Sequence, residues 1–416
     1  MESFPIPSIT KLALENYFVP DGKKADEPFK LTPMPSLNPN PEFVALTVLA
    51  NFVEVFLAKE GHSGPVGINY LEKIQLPTLP SVFGAMLAGV DYVLMGAGIP
   101  RAIPGVLDKL ARGEPVELKI DVIGTQTGEE FHSTFNPSTF CGGSAPILKR
   151  PLFIGIVASA TLAITLARKS SGAVNGFVVE GETAGGHNAP PRGILQLSEG
   201  GEPVYGPRDV PDLEKIRALG LPFWLAGSYG QPRKLAEAIG LGATGIQVGT
   251  AFAFCEESGI SDDLKHQAIQ LSREGKARVF TDPLASPTGF PFKVVQLPGT
   301  QSATCADEER TRLCDLGYLR HPYLTPEGRL GYRCPAEPVE DYVRKGGEAA
   351  ETDGRLCVCN GLVSTIGLAQ LCPDGEAELP LVTAGNEVAS IADFLRPGRD
   401  SYSAAEVILR LQGECS

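Results

Sequence analysis

Long hydrophobic runs are missing from this chain. The longest apolar stretch, residues 151–160, is strand-sized and flanked by charge, well short of the ~18 residues a membrane span needs. No membrane partner is therefore expected. The first residues, MESFPIPSITKLALENYF, lack a basic segment leading into an apolar one, so no secretory leader is read and a cytoplasmic location is expected. Basic excess is also missing. Lys and Arg number 36 against 49 Asp and Glu, a net charge of −13, and such a chain repels phosphate backbones, which argues against nucleic acid as a general partner. Cysteine is scarce through the first 300 residues, with only Cys141 and Cys255 there and seven more between Cys305 and Cys415. In a reducing compartment these are thiols or ligands before they are disulfides. An adenine-ribose signature is absent too: Gly96 and Gly98 form a Gly-x-Gly with no dinucleotide-binding pattern after it.

What remains is ample apolar material, 43 % of 416 residues, enough for a large core and an appended unit. Residues 1–42 are rich in Pro and polar side chains and read as an irregular N-terminal arm. Beyond them, short apolar runs alternate with amphipathic segments, the pattern of βα units around a parallel sheet. Strands are expected at 44–50, 66–69, 92–95, 152–158, 176–180, 223–226 and 245–248. Helices are expected at 81–88, 102–111, 161–169, 212–219 and 233–239. Residues 118–122 form either an eighth strand or half of a hairpin with 130–134; the hairpin is preferred. The expected fold is an α/β (β/α)8 barrel over 43–300. A Cys-containing module, 301–376, follows, and then a strand (379–384) and two helices (389–395, 404–411) within 377–416 that pack back on the barrel.

Several expected strands run into small or polar residues: Asn51, Asn69, Gly96-Ala97-Gly98, Gly181, Gly227-Ser228 and Gly249-Thr250. In a barrel these loops share the carboxyl-terminal face, where the chemistry sits. The densest is Glu180-Gly181-Glu182-Thr183-Ala184-Gly185-Gly186-His187. Paired glycines let backbone approach a flat ligand, and a His beyond them can serve as acid or base near neutrality. A surface-loop His without a role is the plain alternative. Two later loops, Ala226-Gly227-Ser228-Tyr229-Gly230 and Gln247-Val248-Gly249-Thr250, lie about twenty residues apart and suit a phosphate monoester held by backbone amides. Tight helix–strand packing would explain the same glycines.

Taken in order, EGETAGGH at 180–187, AGSYG at 226–230, QVGTAF at 247–252, the Gly67–Asn69 strand end and GAGIP at 96–100 resemble the nitronate monooxygenase (2-nitropropane dioxygenase) family, which includes flavin-dependent enoyl-acyl carrier protein reductases. The resemblance spans roughly 43–300. It implies an oxidoreductase holding FMN non-covalently, with the phosphate on Ala226, Gly227, Ser228, Gly230, Gln247, Gly249 and Thr250. The flavin ring would lie near Ala50, Asn51, Asn69, Glu180, Gly185 and Gly186. His187 would be the base when a neutral nitroalkane is oxidised, or would orient substrate if the reaction is reduction of a C=C bond. The sequence departs from the family pattern at Thr183, where the family has Glu, and at Ser228, where it has Gly. The loop after His187 is also longer, and its Asn188 and Arg192 are candidate substrate contacts. The expected partners are a small-molecule substrate and an electron donor, NAD(P)H or a redox protein; a homodimer stays open. A flavin-free phosphate-binding isomerase or lyase is the other class of enzyme these loops allow.

Cys314, Cys334, Cys357 and Cys359 are spaced C-x19-C-x22-C-x-C. Four thiolates suit zinc or an iron–sulfur cluster, although the spacing matches no standard zinc-ribbon or ferredoxin pattern. Cys305 and Cys372 are possible substitutes for one member, and scattered buried thiols are the alternative to any site at all.

Overall fold

The structure is a computed structural model that describes residues 3–302 and 310–413. Cys305 and Cys415 lie outside the described residues.

The N-terminal arm is less irregular than its composition suggests. Helix α1 (Pro7–Tyr17) lies within it, and Phe4 and Ala13 join the main apolar core. The largest correction follows directly. Residues 44–50, expected as the first strand, belong to helix α2 (Pro41–Ala58), which Asn40 caps by accepting from the Glu42 amide, with Pro41 at its start. The mainly apolar segment continues for eighteen residues, interrupted by Glu42, Asn51 and Glu54, and is too long for one strand. Its buried members, Phe43, Ala45, Val48, Leu49, Phe52 and Val55, recur at helical spacing. By length and composition α2 could cross a membrane; here its apolar side packs within the protein core.

Strand β1 (Gly67–Leu71) and helix α3 (Thr78–Leu87) come next. α3 lies so close to α2 that a Cβ on Gly84 would overlap the backbone carbonyl of Val48. Backbone cannot yield as a side-chain tip can, so Gly84→Val is expected to cost about 1–3 kcal/mol or more. Denaturant unfolding of the variant, with its midpoint lowered at unchanged slope, checks this.

β2 (Tyr92–Gly96) and α4 (Ile103–Ala111) lead to the hairpin of β3 (Val116–Ile120) and β4 (Phe131–Phe135). The two pair antiparallel, Val116 opposite Phe135. Val116, Leu118 and Ile120 point inward while Glu117 and Lys119 point out, the period-2 alternation of a one-sided sheet. This is the hairpin preferred from sequence. The short helix α5 (Pro137–Phe140) follows.

β5 (Leu152–Val157), α6 (Ala160–Lys169), β6 (Gly176–Glu180), α7 (Leu213–Arg217), β7 (Phe223–Ala226), α8 (Lys234–Gly240) and β8 (Gly245–Gln247) are regular βα units. The strands form one six-stranded sheet in the order β1-β2-β5-β6-β7-β8, with every neighbouring pair parallel. The near-continuous apolarity of LFIGIV and GFVV fits strands covered on both faces. A (β/α)8 barrel was expected, with seven of its strands placed in the sequence. Among the described residues six are found in this sheet, and none of the pairings joins β8 to β1.

After α9 (Thr250–Ala253) and α10 (Asp262–Arg273), β9 (Val279–Asp282) and β10 (Phe292–Val295) form an antiparallel pair. Residues 310–376 carry a second pair, β11 (His321–Leu324) with β12 (Leu330–Arg333). They share an apolar cluster with Ala285, Phe292, Val294 and Leu381. Residues 379–384, expected as a strand, are extended but make single backbone bonds, Val295 N to Val382 O at 2.9 Å and Leu381 N to Gly361 O at 2.9 Å. The closing helices are a 3-10 segment, Asn386–Phe394, and Ala404–Gln412. Val388, Ile391, Phe394, Tyr402 and Val407 pack on Ala251, Phe254 and Ile269, so the chain end returns to the core as expected.

Candidate active site

The carboxyl ends of β2, β5 and β6 open into one cavity of about 490 Å3. Ala97 and Gly98 follow β2, Ser159 follows β5 and caps α6, and Glu180 ends β6; His187 and Arg192 complete the wall. In parallel α/β sheets this edge is where ligands bind.

His187 is held from two sides. The loop that carries it is strapped to β10: Lys293 N donates to Gly186 O at 3.0 Å, and Asn188 N to Pro291 O at 2.8 Å. The His187 ring packs against Phe292 with centroids 4.7 Å apart. His187 Nε2 lies 2.7 Å from Ser286 Oγ, which in turn lies 2.9 Å from Thr288 Oγ1. When Ser286 gives its hydrogen to Thr288 it accepts from Nε2–H, and Nδ1 keeps the lone pair; this tautomer is assigned from the hydrogen-bond network. Burial pulls the His187 pKa down to about 4, so the ring is neutral at pH 7 and can take a proton.

Glu180 faces the same cavity and moves the other way. Burial pushes its carboxyl up to about 7, so a large share is protonated near neutrality. Two groups displaced in opposite directions at one site make an acid and a base available together. Asn188 adds a third feature. It is 2 % exposed; its Nδ2 donates to Ala184 O at 3.1 Å while its Oδ1 has no partner. A buried acceptor without a donor is costly, and here it borders the cavity. Arg192 is anchored through its backbone N to Asp209 Oδ1 at 2.7 Å, and its side chain lines the same space.

The expected phosphate loops converge elsewhere, on the C-terminal segment. Gly227 (φ +91°) and Ser228 (φ +58°) turn the chain after β7. Gly230 N donates to Glu387 Oε1 at 2.6 Å. Thr250 Oγ1 accepts from Gly385 N at 2.9 Å, and a Cβ on Gly185 would come within 2.7 Å of the Ala384 and Gly385 backbone. Ala226 is buried at the end of β7, Gln247 closes β8, and Gly249 precedes α9. A side-chain carboxyl group thus already sits on the Gly230 amide.

Ala50, Asn51 and Asn69 are not brought to His187. They line a second cavity of about 840 Å3, largely apolar, together with Leu46, Ile74 and Tyr318. Asn51 lies inside α2, and its polar atoms are satisfied there: Nδ2 donates to Thr47 O and Oδ1 accepts from Tyr70 Oη–H, each at 2.9 Å. Its expected place at a strand end is therefore corrected to a helix interior. Cys314, Cys334, Cys357 and Cys359 come together around a third, narrow cavity.

Sequence reasoning missed Ser286, Thr288 and Glu387. The Ser-Pro-Thr-Gly turn at 286–289 was a visible signal for a polar loop, but nothing local to it says that it meets His187, 99 residues away. Glu387 in TAGNEV likewise carries no local mark of its contact with Gly230.

An α/β sheet with an acid–base cavity at its carboxyl edge defines the class of site. The family model for nitronate monooxygenase matches residues 149–284, the segment carrying β5 to β8, Glu180 and His187. A probable nitronate monooxygenase of Staphylococcus saprophyticus is 30 % identical over 122 residues, 29 % of this chain and 33 % of that protein. A (3aS,4S,5R,7aS)-5-hydroxy-7a-methyl-1-oxo-octahydro-1H-indene-4-carboxyl-CoA dehydrogenase of Mycobacterium tuberculosis is 28 % identical over 99 residues, 24 % of each chain. These matches span a third or less of the relatives' lengths. Among solved structures, FabK from Thermotoga maritima aligns with TM-score 0.47 and 16 % identity over 90 % of this chain and 88 % of its own. Nitroalkane oxidase from Streptomyces ansochromogenes aligns with TM-score 0.40 and 15 % identity over 92 % and 78 %.

Proposed function

We propose that this protein is an FMN-dependent oxidoreductase that oxidises a nitronate or similarly activated carbon acid, and that its sheet is the preserved part of a (β/α)8 barrel. The observation that carries this reading is that His187 and Glu180 line one cavity inside the family-matched segment, with burial lowering the His187 pKa and raising that of Glu180.

The residues suit a flavin. The unpartnered Asn188 Oδ1 awaits a donor such as a ring N–H, and Glu387 on the Gly230 amide stands in for an anion, as a phosphate would on these loops. Bound FMN would supply a two-electron acceptor. This chain's own residues do the rest. When the substrate arrives as the neutral carbon acid, His187 takes the proton from carbon, and its imidazolium is stabilised through Ser286. Glu180 holds a proton at the cavity wall and can give it to developing negative charge. Arg192 attracts an anionic substrate, and Phe292 and the strapped 186–188 loop fix the base in place.

Turnover that needs both protonation states is expected to be greatest between about pH 4 and about 7 and to fall on either side. The signs follow from the two shifts: His187 becomes protonated and useless as a base below its lowered value, and Glu180 loses its proton above its raised one. A pH–rate profile of kcat/KM checks this; no decline above neutrality would remove Glu180 from the acid role. Ser286→Ala should reduce turnover less than loss of His187 and shift the acid limb, the mark of a positioning residue.

The reaction is tested by anaerobic mixing of FMN-loaded protein with nitronates and, separately, with NAD(P)H followed by an enoyl thioester. Bleaching of the flavin's visible band by nitronate supports the proposal. Bleaching only by NAD(P)H, reversed by the enoyl compound, would replace it with the C=C reductase reading. No bleaching by either would leave neither standing.

A further inference from the structure

We infer that Cys314, Cys334, Cys357 and Cys359 are the ligand set of a four-iron, four-sulfide cluster, at a site separate from the acid–base cavity. They lie on three stretches of chain that folding brings together. Cys314 precedes the turn into β11, Cys334 directly follows β12, and Cys357 and Cys359 sit at the start of the helix Val358–Thr365. All four border one narrow cavity with Arg320, Glu337 and Asn360 among its neighbours, and Cys334 interacts electrostatically with each of the other three.

The sulfurs are also supplied with donors. Backbone N–H groups point at them from Ala336 to Cys334, from Asn360 to Cys357, and from Tyr318 and Leu319 to Cys359. Asn360 Nδ2 adds a longer contact to Cys357 Sγ at 3.6 Å. Such hydrogen bonds favour thiolates and tune cluster sulfurs. A chance cluster of apolar thiols has no need of them. All four are free thiols although they share a cavity.

The geometry separates a cluster from a single ion. A tetrahedral zinc with sulfurs at about 2.3 Å draws its four ligands to roughly 3.8 Å from one another. Among the described residues, no three His, Cys, Asp or Glu side chains converge in a way that could hold one metal ion. A cubane cluster gives each thiolate its own iron and keeps the sulfurs further apart, which is compatible with thiols that surround a cavity without converging on a point.

The test is anaerobic purification of the full chain, reconstitution with ferrous iron and sulfide, and assay of iron, acid-labile sulfide, zinc and flavin on the same sample. The expected result is about four iron and four sulfide per chain, with a broad visible absorption that dithionite bleaches. C357S/C359S should lose iron and sulfide to background while FMN binding and cooperative unfolding persist, and C141S should lose neither. Stoichiometric zinc without sulfide would overturn the inference, as would a wild-type chain that takes up no iron. These wild-type measurements decide the matter even if the double variant fails to fold. Because flavin is counted separately, loss of the cluster claim and loss of the flavin claim are distinguishable.

Discussion

His187→Gln is expected to lower kcat/KM for a neutral nitroalkane by roughly 10²–10⁴-fold, the usual contribution of a positioned general base. The same substitution should leave turnover of the pre-formed nitronate within about ten-fold, because the anion has already lost the proton that His187 would remove; ten-fold corresponds to ~1.4 kcal/mol. The split between the two substrates is the informative quantity. The wild-type ring is neutral at pH 7 because burial lowers its pKa to about 4, so no activation step precedes proton transfer. Its orientation is fixed by Ser286 at 2.7 Å and Phe292 at 4.7 Å, and Gln can keep part of that contact, which limits structural damage. FMN content and thermal unfolding of the variant serve as controls. Equal losses on the neutral and anionic substrates would remove the base role and leave His187 as a wall of the cavity.

Glu387→Gln is expected to tighten FMN binding by about 10- to 100-fold at neutral pH. The Gly230 amide that a phosphate would use already donates to Glu387 Oε1 at 2.6 Å, and a charged hydrogen bond contributes about 1.5–3 kcal/mol. A dianion entering the loop must displace that carboxylate or lie beside it. Burial raises the Glu387 pKa, with the Gly230 amide and Lys234 opposing. As pH falls through that raised value the carboxyl is neutralised and competes less, so the advantage of E387Q over wild type should shrink toward acid pH. Riboflavin, which lacks the phosphate, should bind wild type and E387Q alike. Weaker FMN binding by E387Q would mean that Glu387 builds the loop and does not compete for it.

The strands were readable because their signal is local. LFIGIV and GFVVE are short, apolar and bounded by loop residues, and they pair parallel and largely buried in the sheet. α2 was misread for the same reason: seven residues of VALTVLA satisfy a strand template, and only the full eighteen-residue run with its Asn40 cap shows helical spacing. That reading set Ala50 and Asn51 at a strand end beside His187, whereas α2 places them along a different cavity. The Gly185-Gly186-His187 loop was placed correctly at the end of β6, since a glycine pair and a single His mark it in the sequence. Its partners were not legible. Ser286 and Glu387 reach the loops across 99 and 157 residues of sequence separation, and a polar residue in a turn looks the same whether it meets solvent or a buried imidazole. The four cysteines fall between these cases. Their residue type pointed to a common site, but their spacing did not, and folding of β11, β12 and the helix at 358–365 brings them together.

The central claim is that this sheet edge holds FMN. Titration of the flavin-stripped full chain with FMN, followed by fluorescence quenching and by flavin released on denaturation, tests it most directly. Saturable uptake of a single FMN per chain is expected, weakened in Asn188→Leu. A colourless protein that takes up no FMN, at neutral or acid pH and with or without Glu387, would contradict it.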